Sequence, residues 1–208
     1  VSLALDADGV YDLISSFVDD YNALIATINA AISEDYDTDY PPLTDDQKAE
    51  MDDDEIEAWE EKAKVGLLED DSLLKSMLSE LRQALTASIS GVSVSIFDIG
   101  ISTSSNYADK GKLEIDEATL KEAIQSAPEK IISLFTQQAT SVSGSTGTVR
   151  TLSASELATR YKEEGVACKF YDIIAKYCST IKDSSGGYGL LIAKAGSADS
   201  TYLTSLSS

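Results

Sequence analysis

The strongest constraint on this chain is an unbroken apolar run near its start. Val10, Ile14, Phe17, Tyr21, Leu24, Ile28 and Ala31 recur at alternating steps of four and three. That spacing predicts a helix over about 8–32 that lies along other helices. Leu13, Val18 and Ile25 widen the stripe beyond a two-stranded seam, so a bundle fits better than an isolated coiled coil.

The rest of the sequence supplies the partners. Leu74, Leu78, Leu81 and Leu85, with Leu73 and Met77 beside them, form the spine of a helix over 72–89, capped by Asp71 or Ser72. Two short β-branched segments, Ile96–Thr103 and Lys112–Asp116, flank "SSNYADKG" and read as a β-hairpin over about 96–116. Asp116 caps a helical stretch over 117–135 that carries Leu120, Ala123 and Ile124. Pro128 interrupts it and suits the first turn of a second piece. A last helix is predicted over 156–182, with Val166, Phe170, Ile173, Tyr177 and Ile181 on one face and Cys168, Tyr171 and Ile174 flanking it. Val1, Leu3 and Leu5 alternate like the end of a strand over 1–7. The Ser/Thr/Gly-rich stretch 136–155 reads as a surface loop, and 183–208 as a fraying Ser/Gly-rich tail. The fold class expected is mainly α: a helical bundle with coiled-coil-like long helices plus a small β-hairpin. At 208 residues the chain can bury a core without disulfides or metals.

Charge is concentrated in one place. Between residues 34 and 71 there are 17 Asp or Glu against Lys48, Lys62 and Lys64, which accounts for −14 of the chain's net −20. Such a surface repels phosphate backbones and anionic lipid, which argues against nucleic-acid binding and membrane anchoring. No stretch approaches the ~20 apolar residues of a membrane span. Within the acidic segment, Asp35-Tyr-Asp37-Thr-Asp39 copies the first ligand positions of a calcium loop. However, Tyr40 stands where that loop needs glycine, and Asp46 where it needs glutamate. A solvated acidic turn is the reading, with no metal site. Asp6 and Asp8 are read as cap and dipole partner of the first helix.

The stretch "YPPLTDDQKAEMDDDEIEAWEEKAK" obeys local helix rules. Thr44-x-x-Gln47 and Asp52-x-x-Glu55 are capping-box patterns, and Met51 and Ile56 can staple the second start. Ile56, Trp59 and Ala63 follow helical spacing, Glu60 precedes Lys64 by four, and Gly66 offers a stop. A short helix over 52–65 is expected.

Catalytic signals are missing. The sequence has no histidine, no GxSxG elbow and no glycine-rich phosphate loop. Cys168 and Cys178 lie ten residues apart in one predicted helix, roughly 15 Å at 1.5 Å per residue, too far for a disulfide. They are read as small apolar residues. No catalytic, cofactor-binding or metal-binding residue is assigned, and no single interaction residue stands out.

Four blocks carry a resemblance: "LISSFVDDYNALIATIN", "YPPLTDDQKAEMDDDEIEAWEEKAKVGLLEDDSLLKSMLSELRQAL", "IFDIGISTSSNYADKGKLEIDEATLKEAIQSAPEKIISLF" and "GVACKFYDIIAKYCSTIKDSSGGYGLLIAKAG". In this order they resemble the C-terminal region of the flagellar filament cap family, FliD, also called flagellar hook-associated protein 2. The resemblance implies a non-enzymatic structural cap at the distal filament tip, beneath which exported flagellin folds and inserts. It implies a homo-oligomeric ring as partner, together with flagellin, other hook-associated proteins and a type III export chaperone. It also implies an extracellular location at the flagellum tip, reached without a cleaved signal peptide. Residues 8–182 would be a helical stalk domain. Residues 1–7 would connect it to an upstream domain, and 183–208 would lead to a C-terminal coiled coil. The chain opens on Val1 rather than methionine and is read as a piece of a longer protein. A second reading is a host mucin or glycan adhesin of cap-protein ancestry, resting on Tyr36, Tyr40 and Tyr107 in predicted loops.

Overall fold

A computed structural model describes residues 6–142 and 149–196. The first helix, α1, spans Ala7–Ile32, with Asp6 accepting the Gly9 amide as N-cap and Asp8 in the first turn. At about 1.5 Å per residue it is ~39 Å long and forms the spine of the molecule. Its fully buried line is Ile14, Val18, Tyr21, Ile25 and Ile28. Val10, Phe17 and Leu24 are half-buried beside that line and pack against the core. The seam expected from the heptads is therefore rotated toward Val18 and Ile25. Leu13, expected on the widened stripe, is 74% exposed.

Four helices pack around α1: α4 (Ser72–Thr86), α5 (Glu117–Ser126), α6 (Pro128–Thr136) and α8 (Val166–Cys178). Each buries the stripe its spacing dictates. Leu81, Ala84, Leu120 and Ile124 lose all solvent contact. Phe17 of α1 meets Phe135 of α6 and Phe170 of α8 edge-on, with ring centroids 5.7 and 5.1 Å apart, an arrangement that adds to area burial. Two short helices, α2 (Asp45–Ala49) and α3 (Asp53–Ala63), lie on the segment between α1 and α4.

The β element is smaller than expected. Strands β1 (Ile101–Thr103) and β2 (Leu113–Ile115) pair antiparallel, with Ile101 opposite Ile115 and Thr103 opposite Leu113. Asn22 of α1 fixes the pair: its side-chain amide donates to the Leu113 carbonyl at 2.9 Å and accepts the Leu113 amide at 2.8 Å. A helix side chain thus satisfies backbone groups that the open side of a two-stranded ladder would otherwise leave to solvent.

Several boundaries correct the sequence reading. The single helix expected over 156–182 is two: α7 (Ala154–Glu163), capped by a Ser153–Glu156 box, and α8. Glu164 and Gly165 between them are extended. Gly165 donates its amide to the Gln137 carbonyl at 2.8 Å, and a Cβ there would lie 2.6 Å from the Phe135 carbonyl group. Only glycine permits that approach. Beyond α8 the chain turns, so Ile181, expected on the apolar face, is 72% exposed. The helix expected to reach residue 89 ends at Thr86, and α2 is an extra helix where only its cap was recognised. Residues 190–196, expected to fray, are helical, and Leu191 packs on the core. Of the strand read over 1–7, Asp6 and Ala7 are instead the cap and first residue of α1, and 1–5 lie outside the described residues, as do 143–148 of the expected loop and 197–208 of the tail.

Leu120→Ala should destabilise the protein by about 2–5 kcal/mol in urea unfolding followed by circular dichroism. Leu13→Ala should cost well under half of that, although both leucines belong to helical apolar patterns.

Candidate interaction surfaces

The acidic segment is a folded appendage. Both capping boxes close: Gln47 accepts the Thr44 amide at 2.9 Å, and the Glu55 amide donates to Asp52 at 2.8 Å. The Trp59 indole N–H donates to the Pro41 carbonyl at 2.8 Å, and its ring meets Tyr40 edge-on at 4.9 Å. Lys62 lies 4.4 Å over the Tyr40 ring and donates to its hydroxyl. The proline turn is therefore clasped to α3 by two aromatics and a cation.

Gly66 lies past the α3 end with φ of +70°. It docks that end on α1's exit, because a Cβ would meet the Tyr36 backbone at 2.4 Å. Its amide donates to Glu34, the Tyr36 amide to Glu69, and the Asp70 amide to the Ile32 carbonyl. Each of the segment's three lysines is engaged inside it: Lys48 with Glu60, Lys62 with Tyr40 and Lys64 with Glu61. Lys48 holds the Glu60 carboxyl below the ordinary range. Most other carboxylates, including Asp45, Asp46, Asp53, Asp54 and Glu57, face solvent. The result is a rigid anionic face.

The suspected cation loop is a turn. Asp37 accepts the Asp39 amide at 3.0 Å, as an Asx-turn does. Among the described residues no group of three or more His, Cys, Asp or Glu is placed to hold a metal ion. Among the described residues no helix is long and apolar enough to cross a membrane. Cys168 and Cys178 are half-buried free thiols on α8, each raised in pKa by burial. Tyr40 is committed to Trp59 and Lys62, whereas Tyr107 on the hairpin turn is 98% exposed.

A second surface is apolar. Val10, Leu13 and Phe17 of α1, Ile132 and Phe135 of α6 and Ala167 of α8 line an open cleft of about 240 Å³.

A third feature, absent from the sequence expectations, is the cluster of buried ions at the α7–α8 elbow. Arg160, Glu164 and Lys169 are 6%, 1% and 1% exposed. Arg160 forks onto Asp172 through Nε at 2.5 Å and Nη2 at 3.1 Å, and Nη2 also meets Glu164 Oε1 at 2.7 Å. Asp172 holds the Arg160 guanidinium above its ordinary range, and burial pushes the Lys169 ammonium down. The available signal was Lys169 within the apolar stripe of Val166, Phe170 and Ile173, together with the Arg160/Glu164 pair four residues apart.

These features define a class: a helical bundle that presents an exposed anionic face and an open apolar cleft. The comparisons name the family. The model of the flagellar hook-associated protein 2 C-terminus matches residues 1–199, and the chain belongs to that family. It is 40% identical over 143 residues to flagellar hook-associated protein 2 of Halalkalibacterium halodurans, which covers 68% of this chain and 27% of that protein. It is 31% identical over 140 residues to the protein of the same name from Thermotoga maritima, covering 65% of this chain and 21% of that protein. The chain thus spans about a quarter of the curated relatives it matches. No solved structure matches. The family is a structural one of the flagellum, not a family of enzymes.

Mutual repulsion of the exposed carboxylates sets a salt dependence. Raising NaCl from about 0.05 to about 0.5 M should shorten the screening length and raise the thermal midpoint seen by Trp59 fluorescence. The sole tryptophan makes this signal specific to the appendage.

Proposed function

We propose that this chain is the stalk portion of a filament cap, seated at the distal tip of a bacterial flagellum, where it promotes folding and insertion of exported flagellin. The observation that carries the reading is the match of the flagellar hook-associated protein 2 family model over residues 1–199. The physical features are consistent with it. A stiff α1 spine can transmit position between neighbouring subunits, and surfaces rather than a pocket are left to do the work. Partners under this reading are further copies of the chain in a ring, flagellin, other hook-associated proteins and an export chaperone. The location is extracellular, reached through the flagellar type III channel without a cleaved signal peptide. Deleting the full-length gene should leave filaments short or absent and flagellin in the medium. Filaments of normal length in the deletion strain would overturn the reading.

The acidic face has a role within this proposal: it spaces or orients subunits around the ring. Replacing Asp52, Asp53 and Asp54 with asparagine removes three charges yet preserves an N-cap, since asparagine caps as well as aspartate. Cap assembly by the full-length protein should change while the thermal midpoint of this chain moves little. Unchanged assembly would reduce the face to a solvated surface.

A further inference from the structure

The turn between β1 and β2 builds a charged surface of opposite sign to the appendage. Lys110 and Lys112 of the turn and Arg82 of α4 are exposed. Among the described residues none of the three belongs to an ion pair. They line two adjoining open clefts of about 460 and 570 Å³: Lys112 lies in the first, Arg82 in the second, and Lys110 and Asn29 in both.

Contacts from three elements hold this surface in shape. Arg82 Nη2 donates to the Lys110 carbonyl at 2.6 Å, tying α4 to the turn. Lys110 Nζ donates to Ser33 Oγ at 2.8 Å, and the Tyr21 hydroxyl donates to the Gly111 carbonyl at 3.3 Å, tying the turn to α1 and its exit. The carboxylate lining the clefts, Asp109, accepts from Ser104 Oγ at 2.5 Å and Asn106 Nδ2 at 3.2 Å, so its bonds stay within the turn. The three cations are left in excess. Tyr107, 98% exposed, lines the second cleft beside Arg82. Tyrosine and arginine are the side chains that contact surfaces between proteins favour.

The complement is carried by the same chain. Residues 34–71 hold a net −14, and their three lysines are engaged inside the segment. Asp53, Asp54 and Glu57 of α3 are exposed, and no appendage carboxylate pairs with Arg82, Lys110 or Lys112 of its own chain among the described residues. We propose that the Arg82–Lys110–Lys112 surface receives the acidic appendage of a second copy of this chain.

This contact rests on the ring reading of the proposed function and deepens it by naming the two faces that meet. Because the faces differ, the contact is heterologous: each copy gives its appendage to one neighbour and its cationic surface to another. Such contacts close into a ring where the rotation between copies allows. Opposed charge of this kind steers encounter and fixes register, and salt weakens it.

Two measurements on the full-length protein test this. Light and heavy-nitrogen preparations are mixed and treated with a carbodiimide, which joins only an amine and a carboxylate in contact. Mass spectrometry should find light-to-heavy links from Lys110 or Lys112 to the carboxylates of α3. Light scattering then compares assembly at low salt. Lys110→Glu with Lys112→Glu, which leaves Arg82 on the turn, should weaken self-association by about tenfold. Adding Asp54→Lys and Glu57→Lys to that variant should restore most of the loss. Oligomers without such links, or a Lys110→Glu, Lys112→Glu variant that assembles like the unmodified protein, would overturn this contact and leave the ring standing. A full-length protein that forms no oligomer at all would overturn the ring and the contact together.

Discussion

The structure depends on the burial of one long apolar stripe. α1 offers Ile14, Val18, Tyr21, Ile25 and Ile28, and every other core element is placed by what it lays against that line. α5 and α4 pack on α1 directly, β2 is held to it through Asn22, and Phe17 locks α6 and α8 in place. Fully burying each such side chain contributes about 1.5–3 kcal/mol. A stripe of this length is thus a large stabilising contribution from a single element. Without α1, the apolar surface that α4 and α8 turn toward it would be uncovered.

Against this apolar centre stands a periphery docked by polar contacts. The acidic appendage buries little beyond Leu43 and Ala63, and is tied on by Glu34, Glu69 and Gly66. α7 is tied on by a buried ion cluster. Exposed ion pairs such as Lys64–Glu61 add at most ~1 kcal/mol. Buried ions are different, because breaking one partner leaves a charge uncompensated. The two polar attachments therefore differ in kind: exposed charge and hydrogen bonds hold the appendage, and a buried ion cluster holds the elbow. For a protein proposed to work by contact, a rigid spine with polar-docked edges separates holding from engaging.

Much of this was legible in the residues. Heptad spacing located α1, leucine spacing located α4, and the caps at Asp71, Asp116 and Asp52 set helix starts within a residue or two. These signals are local, and local rules decide them. Three features were not legible for a shared reason. Gly165 ends a helix because of the Phe135 carbonyl, thirty residues away in sequence; the rotation of the α1 seam is set by which helices flank it; and Lys169 is buried because Ala87 and Tyr161 receive it. Tertiary contact fixes each of them, and a periodicity cannot report a contact. Family membership was legible for the opposite reason, since four blocks in fixed order carry more information than any one pattern.

An α1-centred core should unfold as a unit, with the acidic appendage separately attached. Urea unfolding followed in parallel by Trp59 fluorescence and far-ultraviolet circular dichroism tests it most directly. The account predicts that the fluorescence transition, which reports the Tyr40–Trp59 clasp, comes at lower urea than the main loss of helix. Coincident transitions would contradict it, since they would make the appendage part of the same cooperative core.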